Sequence, residues 1–164
     1  MKVLYYDVVK SSKEREDAVG ATFFERMEDM LASSDAVVLA TPFAGEKVMT
    51  SSQFLRMKHG AFFINIARGK LVDEAALVDA LEVGHLGGAG LDVHFDEPYV
   101  NEKLANMENV EVLCHMAGAS VESHVGFERM GMENIISYHD TGKAVSPVNE
   151  KLVDAVKVQR EAKL

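Results

Sequence analysis

Short apolar runs rich in Val, Ile and Phe recur along this chain with helix-like segments between them, and that alternation restricts the fold more than any single residue does. Continuous apolar strands separated by helices indicate a parallel sheet with helices packed on both faces. Strands are expected near 2–7, 21–25, 35–41, 60–66, 87–92 and 109–114. Helices are expected over 27–33, 51–58 and 73–83, the last with Asp73 placed to cap its start and Gly84 to end it. A longer helix is expected over 121–139, where Val121, Val125, Met132, Ile135 and Ile136 fall largely on one face. The architecture this implies is doubly wound α/β. The tail from Gly142 onward begins with a loop around Pro147 and ends in a charged amphipathic stretch at 150–163, suited to docking on a second lobe or a partner.

The bulk numbers set the outer bounds. A chain of 164 residues with 48% hydrophobic content suits one globular domain with a sizeable core. A formal net charge of -9 argues against nucleic-acid or anionic-membrane partners, which favour a basic face. No stretch approaches the ~20 apolar residues needed to span a bilayer, and MKVLYYDVVK lacks the apolar core of a secretory signal, so a cytosolic address is expected. The single cysteine, Cys114, lacks an internal disulfide partner and the paired spacing of a zinc site; it reads as a small buried strand residue, and no metal is expected.

In open α/β sheets ligands bind beyond the carboxyl ends of the strands, so the residues just after each strand carry the chemistry. Asp7 follows the first strand, where a carboxylate accepts hydrogen bonds from a ribose diol and repels a ribose 2′-phosphate, favouring NAD over NADP. Thr41 and Pro42 follow the third, in a turn that brings backbone close to a ligand. In Asn65-Ile66-Ala67-Arg68-Gly69 an arginine ends a run too apolar to leave a charge unpaired, and Gly69 lets the backbone turn tightly. The guanidinium fork matches the carboxylate and keto oxygen of a 2-oxo acid; the alternative is a structural salt bridge. Glu97 and His115 follow strands expected to be neighbours, and a glutamate beside a histidine favours the imidazolium that protonates a carbonyl. Asp92 ends its strand as a candidate for the nicotinamide amide or as the cap of the following turn. The other histidines, His59, His85, His94, His124 and His139, read as surface or packing residues.

With INIARGKLVDEAAL, GGAGLDVHFDEP and the His115-Met116-Ala117-Gly118 segment on the page, the chain resembles the NAD-dependent D-isomer-specific 2-hydroxyacid dehydrogenases over roughly positions 1–149, with a glyoxylate or hydroxypyruvate reductase flavour. The resemblance implies a Rossmann-like fold and hydride transfer between NAD(H) and C2 of a small 2-hydroxy or 2-oxo acid. By resemblance Arg68 binds substrate, His115 is the acid/base and Glu97 its partner. It places Asp7 at the adenosine ribose, Thr41 and Pro42 beside the cofactor, Ala67 and Asp92 near the nicotinamide, and His115, Ala117 and Gly118 along the same pocket. A homodimer is expected of the complete fold. Cys114 stands where the family usually has proline.

Family members carry a strand and a Gly-rich turn ahead of the segment resembling MKVLYYD, and a substrate lobe before that. The resemblance therefore implies a partial dinucleotide-binding domain over 1–142 that lacks the first strand and Gly-rich turn, and a tail over 143–164 returning to a substrate lobe. Losing that strand exposes two inner edges, between 2–7 and 35–41, and losing the turn removes the main phosphate cradle. Weak NAD binding and a tendency to aggregate are the expectations for the chain alone. Alternatives from the same ancestry are an inactive fragment and a non-catalytic NAD-sensing or oligomerisation module.

Overall fold

The structure, a computed structural model, describes residues 1–43 and 45–148. The charged stretch expected at 150–163 lies outside the described residues. The chain divides into two compact units, Met1–Ala117 and Gly118–Leu164.

The first unit alternates strand and helix as β1 (Val3–Tyr5), α1 (Lys13–Val19), β2 (Ala21–Phe23), α2 (Met27–Ser33), β3 (Ala36–Leu39), α3 (Ser51–Arg56), β4 (Ala61–Asn65), α4 (Glu74–Glu82), β5 (Leu86–Leu91), α5 (Glu102–Ala105) and β6 (Val110–Val112). A 3₁₀ turn, Gly69–Leu71, follows β4. Each expected strand is found, trimmed by a residue or more at most of its ends, because the flanking residues leave the ladder to form the loops. Every strand pair is parallel, and the strands form two sheets, β1-β2 and β3-β4-β5-β6. Among the described residues the two sheets are not hydrogen-bonded to each other, so β1 and β3 each have one unpaired edge.

The core lies on one face of the larger sheet. Val37, Leu39, Ala61 and Phe63 point into it and meet Leu31 of α2, Phe54 of α3, and Leu77 and Leu81 of α4. Phe54 and Phe63 meet edge to face, with centroids 5.2 Å apart at 85°, a geometry that adds dispersion and quadrupole attraction to their burial. The alternate residues Val38, Phe62 and Ile66 are exposed. Gly88 of β5 is required by packing, since a Cβ there would come within 2.6 Å of the Asn109 carbonyl oxygen and 3.1 Å of the Phe62 ring.

Helix ends follow local chemistry. Asp73 caps α4 by accepting from the Ala76 N–H, and Gly84 takes the left-handed conformation just past its end. Two helices lie outside the expected set. In α1 Ser12 caps the start and Gly20, at φ 65°, the end, and the buried Glu16 accepts from the Tyr5 hydroxyl at 2.7 Å. The single turn of α5 is capped by Asn101.

The second unit contains α6 (Val121–Thr141), begun by Ser120 accepting from the Ser123 N–H and ended by Gly142 at φ 71°. None of its residues is buried, and Val121, Val125, Ile135 and Ile136 are exposed. Among the described residues no helix is long and apolar enough to cross a membrane.

Candidate active site

Because the sheet is parallel, the carboxyl ends of neighbouring strands open on one edge, and the expected residues fall there in the order of the strands. Thr41 and Pro42 follow β3, Ala67 and Arg68 follow β4, Asp92 and Glu97 follow β5, and His115 follows β6.

The turn after β4 is organised by Asn65, a nearly inaccessible side chain whose Oδ1 accepts from the Ala67 N–H at 3.0 Å and whose Nδ2 donates to the Arg68 carbonyl at 3.1 Å. With both ends of its amide satisfied, Asn65 projects Arg68 outward. The Arg68 side chain is exposed, donates to the Ala67 carbonyl beside it, and among the described residues forms no ion pair. The salt-bridge alternative therefore has no partner among the described residues. Gly69 is needed for a different reason from a tight turn: a Cβ there would lie 2.0 Å from the His94 carbonyl carbon and oxygen and 2.4 Å from the Phe95 nitrogen.

His115 Nδ1 lies 2.9 Å from Glu97 Oε2. A carboxylate only accepts, so Nδ1 carries the proton and donates it, which leaves Nε2 as the ring nitrogen for other partners. Glu97 Oε1 also accepts from the His94 N–H at 3.0 Å. The His115 bond first, and the His94 N–H second, hold the Glu97 carboxyl below its ordinary range, so it stays an anion.

His115 has φ 54°, the left-handed region that a non-glycine residue enters at a cost of about 1–2 kcal/mol. Asp92 supplies the constraint on the far side: its buried carboxylate accepts from the Met116 N–H at 2.8 Å and the Ala117 N–H at 3.0 Å. Asp92 thus ties the chain just beyond His115 to the end of β5, an end-of-strand clamp more than the turn cap considered from sequence. Cys114 is exposed, correcting the expectation of a buried strand residue, because β6 stops at Val112. Gly118 opens the second unit.

The sequence pattern marks His94 as a surface or packing residue. It is buried, and its Nε2 lies 2.7 Å from the Leu113 carbonyl, a bond across loops that no local pattern announces. The available signal was a second polar residue, two positions after Asp92, alternating with the apolar Leu91, Val93 and Phe95.

A separate open recess of about 690 Å³ lies beyond β1, lined by Tyr5, Asp7, Val9, Lys10, Ser11, Ser12, Glu14 and Arg15. The Tyr5 hydroxyl braces its wall by accepting from the Ser11 N–H at 3.0 Å and donating to Glu16; burial first, and that carboxylate second, raise the pKa of the phenol. The Asp7 carboxylate is exposed there, and among the described residues it accepts one long bond, of 3.4 Å, from the Val9 N–H.

The family model described as D-isomer specific 2-hydroxyacid dehydrogenase, NAD binding domain, matches residues 1–117. A glyoxylate reductase of Thermococcus kodakarensis is 40% identical over 156 residues, covering 93% of this chain and 46% of that protein. The crystal structure of a glyoxylate reductase from Paecilomyes thermophila is similar with a TM-score of 0.85 at 31% identity, covering 92% of this chain and 46% of the other. That of the Aquifex aeolicus D-lactate dehydrogenase, complexed with NAD and lactic acid, has a TM-score of 0.74 at 28% identity and covers 90% of this chain and 51% of the other. The chain spans about half the length of these relatives. With its parallel sheet matched in these structures and the family match running through every strand of that sheet, the chain belongs to the D-isomer specific 2-hydroxyacid dehydrogenase family, by way of that family's NAD binding domain.

Proposed function

We propose that this chain serves an NAD-dependent oxidoreductase acting at C2 of a small 2-oxo or 2-hydroxy acid. The observation that carries the reading is the Glu97–His115 pair: Nδ1 is committed to a carboxylate, Nε2 is left for proton transfer, and an arginine without an ion-pair partner among the described residues follows a strand of the same sheet edge.

In this reading Arg68 binds the substrate carboxylate and keto oxygen through its planar fork, fixing the orientation of C2. His115 donates the Nε2 proton to the carbonyl oxygen during reduction and accepts the hydroxyl proton during oxidation. Glu97, a persistent anion, offsets the imidazolium charge and fixes the ring orientation. When bound, the nicotinamide cofactor supplies or accepts the hydride. The residues present fit that cofactor: the exposed Asp7 carboxylate has acceptor capacity left for a ribose diol, in a recess whose polar wall suits a nucleoside. The resemblance assigns Thr41, Pro42, Ala67, His115, Ala117 and Gly118 to cofactor binding, and Thr41, Pro42, Ala67, His115 and Ala117 each follow a carboxyl end of the parallel strands. Asp92 acts on the nicotinamide end by holding the 116–117 backbone in place.

The relatives named glyoxylate reductase make glyoxylate and hydroxypyruvate the first substrates to try. A second copy of the chain is the proposed partner, supported by the open apolar residues of α6. A cytosolic address belongs to the same reading, since a reducing compartment keeps the exposed Cys114 thiol free.

The test is NADH oxidation with each 2-oxo acid, comparing the chain with His115→Ala. Loss of the acid/base should lower kcat by about 100-fold or more. Equal rates for the two proteins would remove His115 from the chemistry and overturn the reading.

A further inference from the structure

The loops after β4, β5 and β6 converge on one residue that touches all three. The His94 ring is buried, and its Nε2 lies 2.7 Å from the Leu113 carbonyl, two residues before His115. A carbonyl only accepts, so the Nε2 proton is the one donated. Nδ1 is buried with no hydrogen-bond partner among the described residues, and a second ring proton there would have no acceptor, so the geometry selects the neutral Nε2–H tautomer. The backbone N–H of the same residue holds Glu97 Oε1 at 3.0 Å, and its carbonyl lies against Gly69 so closely that a Cβ would intrude to 2.0 Å. Arg68 is the residue before Gly69.

We propose that His94 is the positioning residue of this site: its ring on Leu113, its N–H on Glu97 and its backbone against Gly69 together set where the Arg68 clamp stands relative to the Glu97–His115 pair. The inference rests on the function proposed above for the roles of those residues, while the geometry that it asserts is independent of turnover. His94 touches none of the groups proposed to react; among the described residues its hydrogen bonds go to Leu113 and Glu97. It acts because Nε2 bridges the loops that follow β5 and β6, and because the contact at Gly69 transmits any shift of that bridge to the arginine turn. A displacement of about 1 Å between a substrate clamp and a proton donor costs on the order of 100-fold in rate.

The experiment uses the full chain and two substitutions that differ in reach. Gln carries an amide N–H close to where Nε2 stands, so His94→Gln keeps the bond to Leu113; the amide of Asn reaches only as far as Nδ1, so His94→Asn loses it. The Glu97 side-chain carboxyl is titrated by ¹³C NMR in each. The wild type and His94→Gln should keep it below the ordinary carboxylate range, and His94→Asn should move it upward as the His115 bond and the His94 N–H bond loosen. With NADH and glyoxylate, His94→Asn should lower kcat by about 10- to 100-fold at nearly constant KM, and His94→Gln should restore most of it. If His94→Asn does not fold, ¹⁵N NMR of the wild-type ring at about pH 7 decides instead, with the neutral Nε2–H tautomer expected. An unmoved Glu97 titration in folded His94→Asn, or an Nδ1–H tautomer in the wild type, overturns the proposal. Absent turnover in every protein counts against the proposed function alone, since the NMR readouts remain.

Discussion

Glu97 and His115 stand 18 positions apart in the chain and 2.9 Å apart in space. Their meeting follows from the adjacency of β5 and β6, which sends the two post-strand loops to the same edge. Glu97→Gln keeps an acceptor for the Nδ1 proton and removes the charge that offsets the imidazolium. The kcat for 2-oxo acid reduction should fall by about 10- to 100-fold, with KM nearly unchanged, in initial-rate measurements. A larger effect on KM than on kcat would relocate Glu97 to substrate binding.

Arg68 should show the opposite split. Under the proposed function Arg68→Lys, which preserves the charge and loses the fork, removes one of two charge-assisted bonds to the substrate, so KM for glyoxylate should rise by about 10- to 100-fold. Steady-state kinetics with added guanidinium as a rescue agent checks it, since the small cation fits the space the fork vacated.

Asp92 is expected to matter for stability as well as for chemistry. Asp92→Ala leaves the Met116 and Ala117 N–H groups without their acceptor and releases the constraint on the left-handed His115. The loss should be about 2–4 kcal/mol, read from urea midpoints, with Asp92→Asn retaining part of it. An unchanged midpoint would show that the segment after His115 is held by something else.

Acid should destabilise the chain through two carboxylates. Glu97 is held below its ordinary pKa chiefly by the His115 bond, and Asp73 chiefly by the Lys47 ammonium and then by the Ala76 N–H. For a depressed pKa the unfolded chain binds the proton first, so the stabilisation is full above the ordinary carboxylate range and drains away as pH falls through the folded values. Urea midpoints should therefore hold steady at neutral pH and drop below about pH 4. Asp73→Asn should flatten part of that drop; Asp73→Ala should also cost about 1 kcal/mol at neutral pH through the lost helix cap.

Much of this fold was legible because parallel strands are continuous apolar runs: Ala36–Leu39 and Ala61–Asn65 are such runs and are ladder neighbours here, with Val37, Leu39, Ala61 and Phe63 buried and Val38 and Phe62 exposed on the other face. The start of α4 was legible because its cap, Asp73, accepts from an N–H only three residues on, a purely local signal. Helix α1 was not, since its energy comes from Ser12, Gly20 and the Glu16–Tyr5 bond and not from an apolar stripe. The one-turn α5 is too short for any periodicity to register. At the candidate site, the meeting of Glu97 and His115 was readable from their strand-end positions, and the two are hydrogen-bonded. His94 was not readable, because its meaning lies in a bond to a carbonyl 19 residues away, and the need for Gly69 lies in the backbone of another loop. Cys114 misled because the apolar run continues past the last ladder residue of β6.

The 21-residue α6 is the element whose consequence reaches furthest beyond the chain. At 1.5 Å per residue it is a rod of roughly 30 Å, and it contains Gly126 and Gly131, each worth about 1 kcal/mol against helix. Among the described residues none of its own is buried, so its order draws on its caps, the Arg129–Glu133 ion pair and the bonds of Asn134 to Ser146 and of Ser137 to the Lys143 carbonyl, with little from apolar packing. Its helicity should then act as a gauge of association: far-ultraviolet ellipticity per residue rises with protein concentration and levels off when the apolar side finds its cover.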